Sequence, residues 1–340
     1  MTVIDADAHV IENESTWDHM LESERRFKPR IVGATDGDPS VEYWLIDGRL
    51  MPRSNVEKSL PEAARDMSDL SIRIAHMNEL NIDLQVIYPT IFIFPTARRP
   101  EVDLALCRSY NRWMADIIRK APERFRWVVV PPLLNMDCVA EELKFGKERG
   151  ACGVYLRGLE ADRRLSDSYF FPLYDAASKL DLPICVHSAN GSIEAYDFFL
   201  DEPGFCKFKL AVVGAFHSLL VDGIPEKFPG LRIAIVEVSA QWIPYAVHDL
   251  ARRYQRRGKQ LSSRVLEDHR VYVTCQTDDD LEYILGYAGE NNLVIGTDYG
   301  HADNASEIEA LRKLRTGGKI GARVIDKILD DNPRALYAID

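Results

Sequence analysis

Three observations predict an α/β fold, a (β/α)8 barrel, for this sequence. Eight short apolar, β-rich runs recur along its 340 residues. Helical patterns separate most of them, as strand–helix alternation requires. No Gly-rich phosphate loop follows any run, which counts against a doubly wound open sheet, the next candidate.

In order, the runs are "TVIDADAH" (2–9), "LQVIYP" (84–89), "RWVVVPP" (126–132) and "CGVYLRG" (152–158), then "PICVHS" (183–188), "LRIAIVE" (231–237), "RVYVTCQ" (270–276) and "NLVIGTD" (292–298). Most are near-continuous in apolar residues, as parallel strands covered on both faces should be. Helical spacing marks 61–82, 101–121 and 136–150, the last closing at Gly150 before the fourth run. Two connections are long. Residues 13–60, with Pro29, Gly33, Gly37, Pro39, Gly48 and Pro52, follow the first strand, and 188–215 follow the fifth. Both leave the C-terminal end of a strand, so both are expected over the barrel mouth as lids or substrate loops. No repeat or linker divides the chain, and 1–340 reads as one domain.

Composition narrows the partners. The net charge is −11, and no basic run exceeds the pairs Arg252-Arg253 and Arg256-Arg257, so neither nucleic acid nor membrane is expected. Six cysteines, at 107, 138, 152, 185, 206 and 275, show no C-x-x-C and no regular spacing, which fits a reducing compartment. The first residues, "MTVIDADAH", carry neither a basic nor an apolar leader region, and no apolar stretch reaches membrane-spanning length. The expected location is cytoplasmic. The expected partner is a small-molecule substrate, and a homodimer or higher homo-oligomer is compatible with the chain.

The chemistry concentrates at strand ends. Residues two apart in a strand face the same way, so Asp7 and His9 project together. His187 ends the fifth run, Glu237 the sixth and Asp298 the eighth, all at the end of the barrel where active sites sit. Each alone has a plain structural role available: a satisfied core histidine, a turn cap, a helix cap. Together, carboxylates and imidazoles converging on one mouth suit one divalent metal ion, zinc, manganese or iron. Arg157, closing the fourth run, is a candidate for a substrate carboxylate, with a structural ion pair as its competing role. Trp242 and Tyr245 could wall the pocket, His301 could orient Asp298, and His217 reads as a packing or surface residue.

These residues carry a resemblance. The chain resembles the amidohydrolase-related family, which includes aminocarboxymuconate-semialdehyde and resorcylate-type decarboxylases, through "DADAHVIE" (5–12), "MNELNIDLQVIYPT" (77–90), "RSYNRWMADIIRKAPERF" (108–125), "LPICVH" (182–187), "IPEKFPGLRIAIVEVSAQWIPY" (224–245) and "GTDYGH" (296–301). The resemblance implies a distorted (β/α)8 TIM barrel with a mononuclear metal held by Asp7, His9, His187 and Asp298. Many relatives carry His-x-His where this chain has Asp7-x-His9, Glu237 stands where the decarboxylases place a histidine, and Gly300 replaces a proline.

The leading expectation is a metal-dependent hydrolase acting on a small cyclic or aromatic carboxylated substrate. Asp298 would move the proton, Glu237 would orient water or substrate, and His187 would serve at the metal. A non-oxidative decarboxylase is the alternative. Iron-dependent oxygen chemistry at the same ligands, and a catalytically silent binding barrel, are further alternatives.

Overall fold

The computed structural model describes residues 2–33, 42–53 and 55–340. Eight parallel strands form one sheet in sequence order: β1 (Ile4–Val10), β2 (Leu84–Pro89), β3 (Phe125–Val129), β4 (Ala151–Arg157), β5 (Ile184–His187), β6 (Ile233–Val236), β7 (Val271–Cys275) and β8 (Leu293–Ile295). Each of the eight predicted runs overlaps one of them. Nearly every strand residue is buried, because helices cover the outer face and packed side chains fill the inner one. The result is a nearly closed, distorted (β/α)8 barrel.

Closure between β8 and β1 is the distortion. No regular ladder joins them. Instead the chain beyond β8 runs alongside β1, with Asp298 N donating to Asp7 O (2.9 Å) and His9 N to Tyr299 O (2.8 Å). Side chains complete the seam. The buried Asp5 carboxylate accepts from Thr297 N (2.9 Å), Thr297 Oγ1 (2.6 Å) and Gln85 Nε2 (2.9 Å). The amide oxygen of Gln85 accepts from Arg73 Nε (2.8 Å), and Arg73 Nη1 reaches His9 O (2.8 Å). Arg73 is fully buried with its guanidinium 4.3 Å from the Tyr299 ring centroid, so its charge is distributed over Gln85, backbone carbonyls and an aromatic face. A register shift between Asp5 and Ala8 marks a bulge that re-aims the end of β1.

The connections differ from expectation in detail. The 61–82 pattern splits into Glu62–Arg65 and Leu70–Glu79, interrupted where Met67 takes φ +56°. The 101–121 pattern is one helix, Pro100–Ile118, and the 136–150 pattern is Met136–Lys147, after which Gly150 turns the chain at φ +84°. The first long connection holds a small antiparallel sheet of Arg30–Gly33, Glu42–Ile46 and Arg49–Pro52, while Gly37 and Pro39 lie outside the described residues. The second folds as helix Ile193–Phe198 and a π-helical turn Phe205–Leu210, which runs into helix Ala211–Val221. Among the described residues, no helix is long and apolar enough to cross a membrane.

The seam is sterically tight at Gly296. A Cβ there would press on the Asp7 side chain and come within 2.8 Å of the Asp7 backbone N and O. Gly296→Ala is therefore expected to lower stability by about 1–3 kcal/mol, the usual cost of overpacking. Urea unfolding measures this as a lower midpoint. An unchanged midpoint would mean that β8 and β1 are less closely docked than described.

Candidate metal centre

The C-terminal ends of β1, β5, β6 and β8 bring five buried groups together. His9 Nε2 lies 3.1 Å from His187 Nε2, 3.5 Å from Asp7 Oδ1 and 3.3 Å from Asp298 Oδ1. His187 Nε2 lies 3.4 Å from Asp7 Oδ1 and 3.0 Å from Glu237 Oε2. Two overlapping sets, Asp7/His9/His187/Glu237 and His9/Glu237/Asp298/His301, each offer donor atoms within 4.8 Å of one another. The ligand set implied by resemblance meets around His9, with Asp7 and His187 in the first set and Asp298 in the second; Glu237 belongs to both and His301 to the second.

Local backbone aims these groups. His9 Nδ1–H donates to Pro89 O (3.0 Å), which leaves the Nε2 lone pair facing the centre, the tautomer a metal ligand needs. Glu237 and Asp298 both leave their strands in the left-handed region, at φ +63° and +53°. A non-glycine residue there costs roughly 1–3 kcal/mol, and such strain clusters at functional sites. It is held in place: Glu237 N donates to Thr274 Oγ1 (2.7 Å), and Asp298 N to Asp7 O. Asp298 does not cap a helix, since the next one begins at Ala310.

Electrostatically the cluster is unbalanced. Asp7 Oδ1, Glu237 Oε2 and Asp298 Oδ1 are all buried, and the groups that face them are the imidazoles of His9, His187 and His301. Burial and the neighbouring Asp298 push the Glu237 carboxyl up to about 8, and burial pushes Asp298 up to about 6. Burial, with His301 stacked 3.8 Å away, brings His9 down to about 3, so it is neutral. Asp7 moves the other way, because His187 beside it outweighs the cost of burial. Three carboxylate oxygens and two imidazole nitrogens converging on one point fit a divalent cation, which would reverse the upward shifts of the carboxyls. One ion can be held here.

An outer layer orients the carboxylates, and much of it escaped sequence reasoning. His301 Nδ1 meets Asp298 Oδ1 at 2.8 Å, and its other nitrogen lies 2.9 Å from Thr90 Oγ1. The Thr90 hydroxyl donates to Val10 O, so it accepts from His301 Nε2–H. Ser306 Oγ donates to Asp298 Oδ2 (2.6 Å). Glu12, buried at the close of the same run as Asp7 and His9, accepts from Thr90 N (3.0 Å) and Ile91 N (2.9 Å). Its place in that run was the available signal; Thr90 and Ser306 offered none.

The other candidates divide. A cavity of about 1030 Å³ opens over the cluster, walled by Trp44, Phe94, Phe208 and Trp242 among others and including Glu12, Arg53, Glu237 and Asp303. Both long connections contribute walls, as expected. Trp242 is fixed by Nε1–H to Ser239 O (2.8 Å), and Tyr245 stands exposed at the rim. Arg157 takes the structural ion pair that competed with substrate binding as its role. Its donors go to Glu160 (2.9 and 2.6 Å) and to the Phe94 and Phe92 carbonyls (2.6 and 3.2 Å), beside a separate, smaller pocket. The bidentate geometry expected for a substrate is taken by Glu160. His217 pairs with Asp249 at 2.8 Å, away from the site.

Fold and cluster together define a barrel protein with a metal-binding mouth. The amidohydrolase family model matches residues 4–339, and the chain belongs to that family. It is 20% identical over 241 residues to 2-amino-3-carboxymuconate-6-semialdehyde decarboxylase of Dictyostelium discoideum, a match covering 68% of this chain and 66% of that protein, just under two thirds of its length. The fold is similar to that of an amidohydrolase from Mycobacterium avium subsp. paratuberculosis, with TM-score 0.78, 18% identity and 99% of each chain covered. It is also similar to 5-carboxyvanillate decarboxylase of Novosphingobium aromaticivorans, solved with manganese and 4-hydroxy-3-methoxy-5-nitrobenzoic acid. There the TM-score is 0.73 and the identity 20%, covering 99% of this chain and 96% of that one.

Protein purified without chelator is expected to carry about one divalent ion per chain by elemental analysis. Ser306→Ala, which frees one Asp298 oxygen, should weaken metal affinity by roughly 10–100-fold, as loss of an orienting partner does elsewhere. Occupancy well below half that no added zinc, manganese or iron restores would refute the assignment.

Proposed function

We propose that this protein is a metal-dependent, non-oxidative decarboxylase of aromatic carboxylates. The observation that carries the reading is the unbalanced carboxylate–imidazole cluster at the floor of an aromatic-walled cavity. Three carboxylates there would repel an anionic substrate, so such a substrate is accommodated only when a cation is held among them. The similarity to decarboxylases supports carbon–carbon cleavage over hydrolysis.

Asp7, His9, His187 and Asp298 would hold the ion, with Glu237 close enough to share it. When bound, a divalent ion supplies positive charge and Lewis acidity beside the substrate oxygens. The cavity's aromatic walls hold the ring and exclude water. In overall balance the ring–carboxylate bond breaks, carbon dioxide leaves, and one proton is added to the ring carbon. The Asp298–His301 pair holds that proton and delivers it from Asp298. Glu237, facing the cavity, orients the substrate.

Hydrolysis is the second reading, and Glu237 favours it. A cavity-facing carboxylate beside a metal site suits the positioning of an attacking water. The product separates the two. With an ortho-hydroxybenzoate that also carries an ester group and is 13C-labelled at its free carboxyl, decarboxylation releases labelled carbon dioxide, whereas hydrolysis frees the alcohol and leaves the label in the acid.

Asp298→Asn is expected to cost at least ~10²–10⁴-fold in kcat/KM with metal retained, and to remove the pH–rate limb due to that carboxyl. A variant that keeps its metal, its turnover and its pH profile would reduce Asp298 to a ligand. Glu237→Gln should leave the fold intact, with an unchanged Tm, while turnover falls. Unchanged kinetics would make Glu237 structural.

A further inference from the structure

One buried charge in the cavity wall, that of Lys207, has no counterion among the described residues. Lys207 lies in the π-helical turn Phe205–Leu210 and is only 7% exposed, yet it lines the cavity. Its ammonium donates to Leu200 O (2.8 Å), and no carboxylate of the described residues lies within 4.0 Å of it. The nearby Glu202 is occupied otherwise, accepting from the backbone N–H groups of Gly204, Phe205 and Lys207. An ammonium has three donors, so two remain.

The surroundings hold this charge ready. Nζ sits 5.2 Å from the Tyr196 ring centroid and 5.7 Å from that of Phe208, both cavity walls. Phe94, leaving β2, packs on both rings at 5.8 and 6.3 Å. The Lys207 backbone is pinned at its oxygen by Asn190 Nδ2 (3.1 Å) and at its nitrogen by Glu202. Aromatic faces lower the cost of burying a cation but do not neutralise it, and a buried charge calls for an anion. The cavity volume, about 1030 Å³, stands at the upper end of what drug-sized ligands occupy, so a single ring leaves space unfilled.

We propose that Lys207 is a second anchoring point, and that the substrate is an aromatic diacid. One carboxylate sits at the cluster of Asp7, His9, His187 and Asp298, and the other on the Lys207 ammonium. This rests on the aromatic-carboxylate reading above and narrows it. Lys207 takes no part in bond breaking; it selects and positions.

The test is calorimetric binding to the metal-loaded protein, with turnover not required. The probes are two pairs of different length: benzoate and terephthalate, para-biphenylcarboxylate and biphenyl-para,para′-dicarboxylate. At least one diacid should bind the wild type about tenfold or more tighter than its monoacid, the scale of a charge-assisted hydrogen bond. Lys207→Met should erase that preference and leave monoacid affinity unchanged, and Lys207→Arg should restore part of it. Equal binding of diacid and monoacid by the wild type overturns the proposal without recourse to any variant. So does a Lys207→Met protein that loses affinity for both acids alike, which would make Lys207 a loop fastener through Leu200. If none of the four acids binds, the aromatic-carboxylate reading falls together with this one.

Discussion

Everything at the mouth depends on how the barrel closes. β8 is short and forms no regular ladder with β1, so closure is left to the chain beyond it. That chain carries Asp298, and the hydrogen bond from Asp298 N to Asp7 O is at once a closing contact and the contact that sets two carboxylates side by side. Asp5, Gln85 and Arg73 reinforce it from below, with the Arg73 charge reaching the carbonyl of His9. Fold stability and ligand geometry therefore share one set of bonds. Gly296 is obligatory there because the backbones approach too closely for a side chain.

The cluster is costly to the folded chain by itself. Buried carboxylates facing one another repel, and Asp7 Oδ1, Glu237 Oε2 and Asp298 Oδ1 face only imidazoles in return. Left-handed backbone at Glu237 and Asp298 adds to the cost. The rest of the barrel offsets this through a large continuous core. Binding a cation converts the same repulsion into electrostatic attraction to the ion, which is why metal and fold should be thermodynamically linked.

The outer layer and the cavity walls divide the remaining work. Thr90, His301 and Ser306 act on Asp298, while Glu12 ties the ends of β1 and β2 together at the cavity floor. Under the proposed function, substrate choice falls to the two long connections, which supply Trp44, Arg53, Tyr196, Lys207 and Phe208 to the cavity wall. Their separation from the strands that hold the cluster lets specificity change without disturbing the chemistry.

What was legible in the sequence is what depends on local pattern. Eight apolar runs with helical spacing between them sufficed for the barrel. Residue parity in β1 and position at the ends of β5, β6 and β8 sufficed for Asp7, His9, His187, Glu237 and Asp298, because strand direction and period are short-range properties. The small sheet inside 13–60 was not legible, nor was the break at Met67, since both turn on long-range packing. The same holds for partners distant in the chain. Nothing in the order of residues shows that Ser306 and Thr90 reach the two sides of one Asp298–His301 pair, or that Glu160 takes the fork of Arg157. Nor does sequence show that Lys207 is buried with no carboxylate of the described residues paired to it. Hydrogen-bond partners separated by tens or hundreds of residues are decided only when the barrel closes, because only then does each buried donor or acceptor have a fixed set of neighbours to choose from.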